Sequence, residues 1–274
     1  MLRQNSEYKI VSYEEKVTRN DDLMAKLILT DTQTEEKHNC VIWDDCLARI
    51  EKRSLKIGNI ISVTEFDFKE KFNNCVIKQV KLIKEARLGL SEQQREELFN
   101  KIIAVVEEFK DEKLKTFILE WITLHKEVLK TKPAARTHHH NYMGGILQHI
   151  WECVEFAKAL FPVIPVEIDH ELVLAGCVAH DFGKVFEYKM DAETGLIEKD
   201  EDWLNAWISH IHYGFSWANE RGFHKLAHLI ASHHGIIEYD ALVEPRTREA
   251  ELLHKVDWLS SRLGRLSVEE LESV

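Results

Sequence analysis

The sequence predicts a multidomain chain of α and β structure: a small N-terminal β-barrel of five strands, then an all-α remainder. Two patterns carry this reading. Apolar and polar residues alternate in short runs up to about residue 87, and from residue 88 the apolar residues recur at helical spacing. A third observation concerns chemistry: 13 of the 15 histidines lie after residue 133.

The alternating runs fall at 8–17, 24–29, 40–43, 60–68 and 75–83, separated by polar turns such as Asn20-Asp21-Asp22 and Phe72-Asn73-Asn74. A short helix fits at 45–52, between the third and fourth strands. Five strands with a helix in that place match an OB-fold.

Ser91 and Gln94 then read as a capping box. Leu98, Ile102, Val105, Val106 and Phe109 mark one face of the helix that follows. A second helix is expected over 112–129, with Trp121 and Ile122 inside and Pro133 closing it. Further helices are expected at 144–160, 171–179, 210–220, 223–232 and 246–263. Residues 191–202 are polar and loop-like. There are no internal repeats and no low-complexity tracts.

Composition excludes several classes. The chain has 274 residues, 45% apolar, enough for one large or two modest cores. It has no run of about 18 apolar residues, so no membrane span is expected. Residues 1–10 lack an apolar signal core, which points to the cytoplasm. The five cysteines (Cys40, Cys46, Cys75, Cys153, Cys177) form no C-x-x-C pair; that disfavours a disulfide framework and fits a reducing compartment. The net charge of −11 is uneven. Residues 1–85 carry 15 Lys/Arg and 15 Asp/Glu, and the rest carry 21 against 32. Such an acidic part binds nucleic acid poorly without cations, and it suits divalent metals.

One histidine alone is usually a satisfied core or surface residue. The order His149, His180-Asp181, His210, His233-His234 and Asp257 needs another explanation, because imidazole and carboxylate together suit Mn, Fe, Zn or Co. His180-Asp181 ends a helix that is apolar nearly all round, from Leu172 to Ala179, so the pair is expected to be buried. A buried aspartate must be paired or metal-bound. Lys184, one turn on, can neutralise Asp181 or a phosphate. Asp257 borders the core beside Leu253 and Val256.

These residues resemble a known family. The runs 144–149, 175–184, 209–211, 232–235 and 250–257 are similar to those of the HD superfamily of metal phosphohydrolases. The order of OB-like barrel, two helices and HD domain is similar to the YhaM-type 3′-to-5′ exoribonucleases. Residues 25–29, 41–44 and 133–136 extend that likeness.

The resemblance implies an OB-like nucleic-acid-binding domain at 1–87, a helical connector at 88–132 packing on the HD domain, and the HD phosphohydrolase domain at 133–274. It implies one or two divalent ions, Mn first, with Fe, Co, Ni or Mg as alternatives. His149, His180, Asp181 and Asp257 would hold one ion. Asp181 would reach a second ion held by His210, His233 and His234. Asp181 and Lys184 would serve catalysis with a metal-activated water. Arg136, His139 and His140 are candidates for a phosphate-facing rim, and Trp43, Lys69 and Lys71 for contacts of the barrel with a single strand. The leading expectation is a 3′-5′ exonuclease on single-stranded RNA or DNA, as a homo-oligomer or alone. Two alternatives stand beside it: a phosphohydrolase of small or cyclic nucleotides with a regulatory barrel, and a nucleic-acid-binding protein whose metal site is structural.

Overall fold

The computed structural model describes residues 2–18, 21–69, 74–86, 89–136, 140–191, 194–206 and 208–264. The chain divides into two compact units: residues 1–88 with 191–196, and residues 89–190 with 197–274.

In the first unit, β1 (Glu7–Val17), β2 (Leu23–Asp31) and β3 (Lys37–Trp43) form an antiparallel meander. A single helical turn, α1 (Asp44–Leu47), and a 3₁₀ turn at Lys52–Leu55 lead to β4 (Ile60–Lys69) and β5 (Asn74–Lys84). β1 pairs with β4, and β3 pairs in parallel with β5, so the barrel closes in the order β1-β2-β3-β5-β4. The register with β2 slips between Ile10 and Ser12, a bulge that adds twist to β1 just beyond Glu7–Lys9, where it also pairs with β4. Tyr8, Ile10, Leu27, Leu29, Ile42, Ile61 and Ile77 fill the interior. The helix expected over 45–52 is shorter than its sequence reading. The 3₁₀ turn, rather than a continuous helix, delivers Leu55 to the barrel core.

The second unit begins with α2 (Glu92–Glu107), and the Ser91–Gln94 capping box is present in full. The helix expected over 112–129 is two: α3 (Glu112–Leu124) and α4 (Lys126–Thr131), broken at His125 (φ −104°, ψ 15°). No glycine or proline marks this break, and Leu129 continues the apolar spacing, so periodicity could not reveal it. Then follow α5 (Gly145–Leu160), α6 (His170–Ala179) and the short α7 (Lys184–Glu187).

The stretch expected as a loop over 191–202 holds β7 (Ile197–Lys199), which pairs in a hairpin with β6 (Tyr188–Met190) just before it, and the start of a turn of helix, α8 (Glu201–Asn205). Three-residue strands are too short for an alternating pattern. Their turn is set instead by Asp191 Oδ1, which accepts from the Thr194 backbone N–H (2.7 Å) and hydroxyl (2.9 Å). The chain ends in α9 (His210–Asn219), α10 (His224–Ser232) and α11 (Arg248–Leu263).

α6 is the centre of this unit. It packs against α2, α3, α5, α10 and α11, which is why its sequence is apolar on every side. Each large apolar side chain buried there contributes roughly 1.5–3 kcal/mol. Beyond its end, Phe182 stacks on Trp121 of α3 at 3.7 Å between ring centroids, and Phe117 stacks on Trp217 at 3.8 Å. These aromatic pairs fix the helix end that carries His180 and Asp181.

Candidate metal centre

Five helices bring one cluster together. α5 supplies His149, the C-terminal end of α6 supplies His180-Asp181, the first residue of α9 is His210, the end of α10 gives His233-His234, and α11 gives Asp257. His149, His180, Asp181 and His233 are fully buried, and His210 is nearly so.

Each imidazole is held by its Nδ1. His180 Nδ1 donates to the Cys177 carbonyl (3.0 Å), His233 Nδ1 to the Ile230 carbonyl (2.7 Å) and His234 Nδ1 to the Tyr239 carbonyl (2.6 Å). His210 Nδ1 donates to Glu187 Oε2 (2.7 Å). His149 Nδ1 donates to Ser260 Oγ (2.9 Å), whose own proton goes to Glu152 Oε2 (2.7 Å). A carbonyl can only accept, so the neutral tautomer leaves the lone pair on Nε2, turned toward the cluster. Such outer partners are what orient metal-ligating histidines.

The facing atoms are imidazole nitrogens and carboxylate oxygens, the atom types that ligate metal. His149 Nε2 lies 3.1 Å from His180 Nε2, 3.1 Å from Asp257 Oδ1 and 3.4 Å from Asp181 Oδ2. On the other side, Asp181 Oδ1 lies 3.5 Å from His210 Nε2 and 3.7 Å from His233 Nε2. Asp181 Oδ1, His210 Nε2 and His233 Nε2 have no hydrogen-bond partner although buried. Asp181 Oδ2 is 2.7 Å from Lys184 Nζ, an ion pair off the hydrogen-bond line.

Buried ligand atoms without a hydrogen-bond partner are costly unless a cation sits among them. Bonds of about 2.0–2.2 Å to one ion place neighbouring donor atoms roughly 3–3.5 Å apart, close to these separations. The donor set therefore fits divalent metal. Three groups could each hold an ion: His149, Cys153, His180 and Asp257; His210, His233 and His234; and His180, Asp181 and His233.

The electrostatics agree. Burial opposes the charged form of Asp181, but Lys184 and His180 outweigh it and hold the carboxyl well below the usual range. Burial acts likewise on Asp257, and the His149 hydrogen bond overrides it, so this carboxyl too stays ionised. Burial pushes His149 and His233 down, and with His210 nearby it takes His234 to about 4, so all three are neutral ligands at neutral pH. His180 differs. Burial lowers it, but Asp181 raises it more, and the net shift is upward. Burial also works against the Lys184 ammonium, yet Asp181 keeps it charged above the ordinary lysine range.

Sequence reasoning missed the supporting residues. Glu187, whose only sequence signal is an acid inside an otherwise apolar run, grips His210 and pairs with Lys199 of β7 (2.7 Å). Burial would raise its carboxyl, but these two partners take it down to about 2. Cys153 lies 4.0 Å from His149 Nε2; burial pushes its thiol far up, which favours a neutral packing role. Gly183 has an ordinary helical φ of −65°, so it is needed for space: a Cβ there would meet the His210 carbonyl oxygen at 2.3 Å.

The rim candidates are scattered. His140 is buried, with its ring nitrogens 2.9 Å from Tyr142 Oη and 2.9 Å from Glu152 Oε2; it stands behind His149 and not at a surface rim. Arg136 is exposed, as are Trp43 and Lys69 on the barrel. His139 and Lys71 lie outside the described residues. His212, two residues after His210, accepts at the start of α9 from Ser209, with Ser209 Oγ 2.9 Å from its Nδ1.

Residues 146–262 match the HD domain family. A second family, TraI_2, described as a candidate helicase, matches residues 81–163. The chain is 30% identical over 188 residues to the 3′-5′ exoribonuclease YhaM of Oceanobacillus iheyensis, covering 65% of this chain and 57% of that protein. It is 26% identical over 224 residues to the 3′-5′ exoribonuclease YhaM of Halalkalibacterium halodurans, covering 78% and 64%. The chain thus spans less than two thirds of the length of either relative. No solved structure matches it significantly.

Proposed function

We propose that this HD-superfamily protein, similar to the YhaM exoribonucleases, is a metal-dependent 3′-5′ exonuclease acting on single-stranded RNA, with single-stranded DNA as a further candidate substrate. The observation that carries the reading is Asp181. It turns one oxygen toward His149 and His180 and the other toward His210 and His233, and the Nε2 atoms of His210 and His233 have no hydrogen-bond partner. The relatives' own activity supplies the substrate class.

In this reading His149, His180, Asp181 and Asp257 hold one ion, and Asp181, His210, His233 and His234 hold a second. Bound Mn²⁺, or a similar ion, would acidify a water and offset charge on the phosphoryl oxygens. Lys184, charged and 2.7 Å from Asp181, sets the local charge balance and offers a proton-bearing nitrogen to a phosphoryl oxygen. Glu187 and Ser260 keep His210 and His149 oriented through Nδ1. The aspartates stay ionised, and burial keeps His149, His233 and His234 neutral, so these ligands keep their charge through the neutral pH range.

The domain division we adopt is an OB-like nucleic-acid-binding barrel at 1–87, a connector at 88–132 and the HD domain at 133–274. The barrel would guide a single strand with Trp43 and Lys69. All five cysteines are free, and among the described residues no helix is long and apolar enough to cross a membrane. We assign the protein to the cytoplasm on that chemistry.

The test is a time course with a 5′-labelled oligoribonucleotide and Mn²⁺. Stepwise shortening to a ladder of labelled products is expected. An intact strand beside rapid hydrolysis of a free or cyclic nucleotide overturns the reading. That second activity is favoured by one observation, the excess of 32 acidic over 21 basic residues beyond residue 85.

A further inference from the structure

Above the metal centre lies a cleft of about 660 Å³, whose walls include Lys184, His234 and Asp257. It is therefore the approach to the proposed reacting atoms. Two of its other residues are unusual. Tyr239 is 68% and Trp258 50% exposed, and among the described residues only Trp43 is a further large aromatic side chain of comparable exposure. Solvent-facing aromatic rings lose apolar burial, so finding both in one cleft calls for a ligand.

Both rings are tied to the metal centre by the chain itself. Trp258 follows Asp257 on α11. Tyr239 is held through its carbonyl, which accepts from His234 Nδ1 at 2.6 Å. Arg262, one turn along α11, places its guanidinium 5.8 Å from the Trp258 ring centroid. An aromatic face backed by a guanidinium suits a flat, electron-rich ring attached to a phosphate. The carboxylates of Glu238 and Asp240 also line the cleft. They disfavour a phosphate beside them and can accept from sugar hydroxyls, which leaves Lys184 and Arg262 as the cationic partners for phosphate.

We infer that this cleft is a nucleotide subsite for the 3′ end of the strand: Trp258 and Tyr239 stack on bases, and Arg262 takes a backbone phosphate. The inference rests on the exonuclease reading. It differs from the barrel contacts in placing base recognition on the HD domain, next to the reacting atoms.

The test compares KM for a 5′-labelled oligoribonucleotide with KM for the same strand abasic at its last two 3′ positions, in Mn²⁺. The parent should discriminate between them by about fivefold or more, the scale of one base–aromatic stack. Trp258→Ala and Tyr239→Ala should raise KM for the intact strand about that much and lose the discrimination. Trp258→Phe should retain it. Arg262→Ala should raise KM for both strands alike. A parent that cuts both strands with equal KM, or alanine variants that keep the parent's discrimination, overturns the subsite and leaves the exonuclease reading standing. Alanine variants that change only the oligomeric state do the same. A parent that neither binds nor cuts the strand overturns both.

Discussion

Glu187 Oε2 lies 2.7 Å from Nδ1 of His210 and 3.2 Å from its backbone nitrogen, so one carboxylate fixes both the ring and the helix end that bears it. Its other oxygen is anchored by Lys199 at 2.7 Å. This outer support sets the direction in which His210 Nε2 faces Asp181.

Glu187→Ala should therefore weaken Mn²⁺ binding by roughly 10–100-fold, the usual effect of losing an outer partner of a ligating histidine. Glu187→Gln keeps an acceptor for Nδ1–H and should lose much less. Isothermal titration of the metal-free protein with Mn²⁺ measures both. Equal affinities in the parent and the alanine variant would remove Glu187 from the metal's support.

Asp181→Asn keeps the shape of the side chain but removes the charge shared by the two ligand groups. Activity should fall by more than the 10–100-fold ascribed to outer partners. The parent should gain about 2.7 kcal/mol of stability at metal concentrations near 100 times Kd, and chelation by EDTA should reverse the gain. The asparagine variant should show little of this gain. Melting curves with and without Mn²⁺ give the comparison, and a full metal response in the variant would place the ion elsewhere.

Gly183→Ala asks whether the loop after Asp181 needs space. The added methyl would meet the His210 carbonyl oxygen at 2.3 Å and the adjoining backbone at 2.5–2.8 Å. Backbone must shift, at a cost of roughly 1–3 kcal/mol. The urea midpoint should drop, and Mn²⁺ affinity should drop with it because His210 moves. Loss of stability with unchanged affinity would mean that the strain relaxes away from the site.

Asp31 gives the barrel a pH dependence. The Arg3 hydrogen bond (2.7 Å) and the backbone N–H groups of Gln33 and Thr34 lower its carboxyl from 3.8 to about 2. A folded-state value below the unfolded one stabilises the fold above about pH 4, and that stability is lost as the pH falls toward 2. Arg3 is half exposed, which screens the pair and limits its size. The difference in melting temperature between the parent and Asp31→Asn should be positive at pH 6 and shrink toward pH 2. A difference that is flat with pH would assign Asp31 a purely geometric role.

Much of this protein was legible in its residues. Alternation and helical spacing gave the five strands and most helices, because each face must find apolar cover. The ligand candidates stood out because histidines and aspartates are costly to bury without a partner, and the apolar helix ending in His180-Asp181 announced that burial. What spacing could not give was the break at His125 and the β6–β7 hairpin, where the local signals are a single residue or a three-residue strand.

The sequence by itself determined the barrel, the helical unit and the set of residues able to ligate, since these depend on period and residue type. The tertiary structure alone decided how that set is supported. Glu187 is joined to His210 across 23 positions, and Ser260 to His149 across 111. It also moved His140 from an expected rim to a buried place behind His149, and brought Tyr239 and Trp258 to the mouth of one cleft. Hydrogen-bond partners remote in the chain leave no periodic trace, because only the packing of helices against α6 brings them within reach of one another.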